Sequence, residues 1–356
     1  MFRDGVEPFR NREGPHPSAA SVAAKTCATK PTWAMLSPTE VAMNRPDLPQ
    51  LASLPFITDG GLETTLVFHD GIDLPSFAAF PLLLTQEGRD VLSRYFKPYF
   101  EVAARHRVGF VLDTPTWRAN PDWARRLDYT AEELATINRD AVQFIRDLSS
   151  RHPEVPEVVL NGVVGPRGDG YVVGAAMSAD EAEAYHLPQV RAFQDAGADM
   201  VSAITMTYAD EAIGIAHAAR SCSVPVAISF TVETDGRLPS GQMLRHSIEA
   251  TDAATASYPA YYMINCAHPE HFRDALSSGP WLDRIRGIRA NASRKSHAEL
   301  DASTELDIGN PVELGAEYKQ LTRRLKHLAV FGGCCGTDQR HVRAICEACL
   351  PQKETA

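Results

Sequence analysis

The sequence contains no run of about 18 consecutive apolar residues, which excludes a membrane-spanning helix of ordinary length. It also lacks any block of Lys and Arg. With 35 basic against 45 acidic residues its formal net charge is −10, the wrong sign for a nucleic-acid footprint. Cysteine is sparse and scattered: seven residues, at 27, 222, 266, 334, 335, 346 and 349. An odd, dispersed set is not the dense even framework of a small secreted domain, so reduced thiols in a cytoplasm are expected. There is no H-E-x-x-H motif, and "VVGPRGDG" (163–170) lacks both the Lys of a phosphate-binding loop and the spacing of a dinucleotide fingerprint.

What is present is a chain of 356 residues, 44% hydrophobic and 22% charged, enough to bury a substantial core. The first fifty residues stand apart. "MFRDGVEPFRNREGPHPSAASVAAKTCATKPTW" mixes Pro, Ser, Ala and charge with no apolar period. Residues 1–50 are therefore expected to be a disordered extension, with or without a later start at Met35 or Met43, and Cys27 within them has no assigned role. The stretch also lacks the apolar centre of a secretory signal.

From residue 51 to 352 short apolar runs alternate with longer amphipathic segments. The runs are 55–60, 108–114, 157–166, 199–205, 224–230, 260–266, 285–291 and 328–333; the clearest helical stretches are 86–106, 131–150, 180–196, 209–220, 313–327 and 338–349. Continuous apolar strands alternating with helices imply a parallel sheet covered on both faces. Eight such units over about 300 residues match a single-domain α/β protein of the (β/α)8 TIM-barrel type, with an open doubly wound sheet as the competitor. In a barrel, functional groups gather at the C-terminal ends of the strands. Those positions are Asp59, Asp113, Thr114, Asn161, Thr205, Phe230, Cys266, Asn291 and the pair Cys334–Cys335.

Three cysteines thus fall on one rim. The ends of strands six and eight lie within about a nanometre in such a barrel. Gly332, Gly333 and Gly336 are expected to free the backbone so that two adjacent thiols turn the same way. Three thiolates suit Zn²⁺ with a fourth position open. The bland alternative for each cysteine is a small buried core residue. That reading is preferred for Cys346 and Cys349, on one face of the last helix, and for Cys222, at the opposite end of the barrel. His268 and His271 are read as first-turn helix residues rather than a fourth ligand. Zinc deprotonates a thiol bound in the open position, making it a nucleophile at neutral pH, which suits alkyl transfer to sulfur.

The segments "TDGGLETTL" (58–66), "NGVVGPRGD" (161–169), "AGAD" (196–199), "SFT" (229–231), "INC" (264–266) and "GGCCGT" (332–337) stand in the order found in zinc-dependent homocysteine S-methyltransferases, and the chain resembles that family over about residues 54–350. The resemblance implies a (β/α)8 barrel with Zn²⁺ held by Cys266, Cys334 and Cys335. It implies methyl transfer to homocysteine from a sulfonium or betaine-type donor, and amino-acid binding by Asp59, Gly60 and Gly61. Taken alone, Asp59 could equally cap the following turn.

Two departures stand out. The family's amine-holding Glu at the end of strand four is here Ile204, followed by Thr205. An ammonium left unpaired in a closed site costs several kcal/mol. Either Glu233 or Asp113 substitutes, or the acceptor is a different thiol or selenol. In "LDTPTWRANPDW" (112–123), Trp117 and Trp123 could box a cationic donor, with Arg118 suited to a carboxylate; ordinary loop packing is the alternative. Phe77 and Phe80, in a long loop over the barrel mouth, either shape the pocket or only pack. Asn161 and Thr205 complete the expected substrate-binding set. Small-molecule substrates are expected, with no nucleic-acid or membrane partner and a monomer or small homo-oligomer. A non-catalytic barrel, or one that needs a partner in trans, is the rival of a different class.

Overall fold

A computed structural model describes residues 48–350. Most of the expected extension, with Cys27, and the last residues of the chain lie outside them. Eight parallel strands close into a barrel in sequence order. They are β1 (Phe56–Ile57), β2 (Gly109–Asp113), β3 (Val158–Val164), β4 (Met200–Met206), β5 (Val226–Phe230), β6 (Tyr261–Asn265), β7 (Ile285–Ala290) and β8 (Val330–Gly333). β8 pairs with β1 through Val330 opposite Phe56, which closes the cylinder and rules out the open sheet.

The strands read as near-continuous apolar runs because both of their faces are buried. Inward-pointing Phe56, Val111, Val159, Met200, Ile204, Met263 and Val330 fill the barrel, while two larger clusters cement the helices to its outside. The long helices carry their own start signals: Thr130 and Ser178 cap Ala131–Ser149 and Ala179–Asp195 with reciprocal bonds to Glu133 and Glu181. The segments less clear in sequence hold a helix at Leu244–Thr255 and a single turn at Pro269–Phe272.

Three expectations need correction. Residues 48–50 are not part of a loose extension. Leu48 and Gln50 are buried, and Gln50 Nε2 reaches Tyr261 Oη (3.4 Å) and Met200 Sδ (3.0 Å), plugging the N-terminal end of the barrel. Asn161 is not at a strand end, since β3 continues to Val164 and Asn161 lies opposite Asp113; "LNGVV" is one apolar run, and only the pairing register sets its depth. Gly332 and Gly333 remain in strand β8, with positive φ appearing only at Gly336 (+76°). They are glycine for want of space: a Cβ on Gly332 would sit 1.8 Å from Thr58 Oγ1, and one on Gly333 2.0 Å from Thr337 Oγ1. The backbone that does leave strand geometry is at Cys266, with φ of +55°.

Candidate active site

Cys266 follows β6 and Cys334–Cys335 follow β8, so the barrel brings the three thiols to one rim. Cys334 Sγ lies 3.0 Å and Cys335 Sγ 3.5 Å from Cys266 Sγ, and all three sulfurs fall within 4.8 Å of one another. Cys266 is a non-glycine residue in left-handed backbone, a conformation that costs about 1–3 kcal/mol and persists where surrounding contacts over-determine it. Its N–H donates to Arg289 O, and its carbonyl accepts from Asn291 Nδ2 and from His297 Nε2. The cysteines are free thiols. Hydrogen bonds with Cys266 and Cys335, helped by the Arg289 charge, hold the Cys334 thiol well below its ordinary range; the bond with Cys334 pushes Cys266 up. Cys335 is pushed up as well, so the cluster favours negative charge on Cys334.

Tyr171 was not singled out in the sequence. Its hydroxyl lies 3.1 Å from Cys266 Sγ and 3.5 Å from Cys335 Sγ, and its ring stacks on His297 at 4.0 Å. The loop that carries it is fastened by Asn120 Nδ2 to Pro166 O and Trp123 Nε1 to Gly168 O. Trp123 is therefore a loop anchor.

Beside the thiols runs a buried charge network centred on Arg289 of β7, also absent from the sequence expectations. Its Nη2 donates to Asp59 Oδ1 (2.5 Å), its Nη1 to Asp113 Oδ2, and its Nε to Gly333 O (3.2 Å). Tyr95 Oη donates to Asp59 Oδ2, and Asn161 Nδ2 to Asp113 Oδ1. Burial pushes the Asp59 carboxyl up to about 7 against the pull of Arg289. A second network holds the rim of β4. Thr205 has φ of +67°; its N–H donates to Asn265 Oδ1 and its Oγ1 accepts from Asn265 Nδ2.

A cleft of about 790 Å³, measured to its open mouth, joins these parts. Asp59, Gly60, Gly61, Asp113, Trp117, Thr205 and the three cysteines all line it, as do Ile204, Arg118 and Phe77. Asn161 supports it from below through Asp113. Glu233 is outside the lining; its carboxylate meets His297 Nδ1 at 3.0 Å. His268 caps a helical turn and lies 3.2 Å from Glu317 rather than joining the thiols. Phe80, Cys346 and Cys349 pack in the outer core. The expected aromatic box already contains a cation: the Arg118 guanidinium sits 3.9 Å from the Trp123 ring centroid and 5.1 Å from that of Trp117.

A closed parallel barrel with three converging thiols at its C-terminal rim, opening on a charged cleft, is the architecture of a small-molecule enzyme. The sequence model of homocysteine S-methyltransferases matches residues 56–349, and the chain belongs to that family. Among solved structures it is similar to the homocysteine methyltransferase MmuM of Escherichia coli. The oxidised form has 19% identity and a TM-score of 0.65, over 87% of this chain and 99% of that one. The metallated form has 18% identity and a TM-score of 0.64 over the same shares. At these identities the likeness speaks to the fold.

Proposed function

We propose that this protein is a zinc-dependent S-methyltransferase that moves a methyl group from a sulfonium or betaine-type donor to homocysteine, giving methionine. The observation that carries this reading is the cluster of three free thiols at the floor of the cleft. Its donor set fits zinc: three sulfurs on one side, with S···S separations of 3.0 and 3.5 Å against about 3.8 Å on the edge of a tetrahedron with 2.3 Å Zn–S bonds. Slight side-chain rotation covers that difference. Zinc held by Cys266, Cys334 and Cys335 would supply one thing, a lowered pKa for the acceptor thiol.

The chain's own residues do the rest by placement. The acceptor sulfur forms a bond to the methyl carbon as the bond from that carbon to the donor's sulfur or nitrogen breaks, and the departing sulfide or amine takes the electron pair. Because that leaving group departs neutral, no general acid is needed, and positioning dominates. The Arg289 network holds the β1 and β2 ends rigid beside the thiols. Arg118 brings positive charge to the mouth, which favours a donor that carries a carboxylate over a bare cation. Six free cysteines among the described residues suit a reducing, cytoplasmic setting.

The test combines metal analysis with a donor screen. Reduced wild-type protein should carry about one zinc per chain and, with homocysteine and one of a set of sulfonium and betaine donors, yield methionine by mass spectrometry. Cys266→Ala and Cys335→Ala should lose zinc and activity together. A fully active, zinc-free Cys335→Ala variant would refute the reading.

A further inference from the structure

Ile204 lines the cleft and is buried in the barrel interior, so β4 offers no carboxylate to an amino-acid ammonium. That charge must be met by another carboxylate if homocysteine is the acceptor, and four of them line the cleft: Asp59, Glu63, Asp113 and Asp169. Three are committed. Asp59 and Asp113 share the Arg289 guanidinium, and each accepts a further hydrogen bond. Asp169 Oδ1 accepts from the backbone N–H groups of Tyr171 and Val172 and so closes its own loop. Glu63 differs. Among the described residues no side chain hydrogen-bonds its carboxylate, and it is half-buried on the cleft wall.

Its placement follows from the glycines before it. A Cβ on Gly61 would stand 2.7 Å from Cys334 O, and one on Gly60 2.6 Å from Thr337 O, so glycine alone lets the start of Leu62–Phe68 press against the chain that bears the thiols. Glu63 is thereby close enough to Cys334 for their charges to interact. Burial pushes its carboxyl up to about 7, outweighing the pull of its own backbone N–H and of the Arg118 and Arg289 charges. In homocysteine four bonds separate the sulfur from the amine, so a thiol seated at the cysteines carries its ammonium to nearby wall.

We propose that Glu63 holds the ammonium of the acceptor amino acid, taking over the role that Ile204 cannot fill and selecting an α-amino thiol over one without the amine. This rests on the reading of homocysteine as acceptor. The experiment is calorimetric binding of homocysteine and of 4-sulfanylbutanoate, the same thiol without its amine, to zinc-loaded wild-type and Glu63→Gln protein, with zinc content and Tm measured alongside. Glu63→Gln should weaken homocysteine binding by about 10–100-fold, as expected for a lost charged hydrogen bond. It should leave 4-sulfanylbutanoate within twofold and zinc content unchanged. Adding Ile204→Glu to Glu63→Gln should restore homocysteine binding, because a carboxylate returns to the same cleft. Undiminished homocysteine binding in Glu63→Gln, or a parallel loss of both thiols, overturns the assignment to Glu63 while leaving the acceptor intact. A wild-type protein that binds 4-sulfanylbutanoate more tightly than homocysteine overturns both.

Discussion

Arg289→Met is the most informative test of how the site is held together. The substitution removes a buried guanidinium that bridges Asp59 and Asp113 and supports Gly333 O, and replaces it with a flexible apolar chain. Breaking a buried ion pair from one side costs about 3–5 kcal/mol, because the remaining charges stay desolvated. For a chain of this size that corresponds to a Tm drop of roughly 5–15 °C. The loss should depend on pH. Without Arg289 the pull that opposed burial is gone, so the folded-state pKa of Asp59 rises further above the ordinary value of about 3.9. A carboxyl raised in the folded state leaves stability fully present below its unfolded pKa and removes it as pH climbs through the folded one. Thermal unfolding followed by near-UV circular dichroism should therefore show a smaller deficit at about pH 5.5 than at about pH 8. Adding Asp59→Asn should recover part of the loss at the higher pH. An equal deficit at both pH values, or none at either, would refute the assignment of Arg289 as the counter-charge of the two aspartates.

Other consequences are direct. Gly332→Ala drives a methyl group onto Thr58 Oγ1 and should cost about 1–3 kcal/mol by overpacking, with Thr58→Ala recovering part of it; an unchanged Tm in the single variant would show that the strands are not so tightly apposed. Asp338 caps Gln339–Cys349, and although burial works against ionisation, hydrogen bonds of His341 and Arg340 outweigh it and hold the carboxyl well below its usual range. Its contribution is present above the unfolded pKa of about 3.9 and fades as pH falls below that. Wild-type and Asp338→Asn stabilities, measured by urea titration, should differ at neutral pH and converge on acidification. A constant gap would rule out the charge as the source.

Much of the architecture was legible because each unit of a parallel barrel declares itself locally. Most strand runs are nearly continuous apolar stretches, the helices repeat at their own period, and the three cysteines stand just past strand ends where the fold must gather them. The rest depends on closure, which no local pattern records. In "IRGIRAN" the second arginine reads as a polar interruption. Only the finished cylinder shows Arg289 pointing inward between Asp59 and Asp113. Tyr171 lies in an aperiodic loop whose path is set by Asn120 and Trp123. Nothing in "TDGGLETTL" sets Glu63 apart; it stands out only because Glu233 is bound to His297 and the two aspartates to Arg289. The two glycines before the cysteine pair were read as backbone freedom when their reason is crowding.

The seam between β1 and β8 has a consequence for how the protein comes into being. Two of the three clustered thiols and the Asp59–Gly61 segment belong to opposite ends of the folded chain, joined where Gly333 N–H donates to Asp59 O and Gly61 N–H to Thr337 O. During synthesis every other strand can find its neighbour as it emerges, but β1 must wait for β8, with loop-closure entropy delaying that last encounter. The reactive centre is therefore completed only when the final strand arrives, so nascent or truncated chains have no assembled thiol trap. An ion bound across Cys266 and the Cys334–Cys335 pair would act as a clasp on β6 and β8, the strand that closes the seam, tying activity to the integrity of the whole barrel.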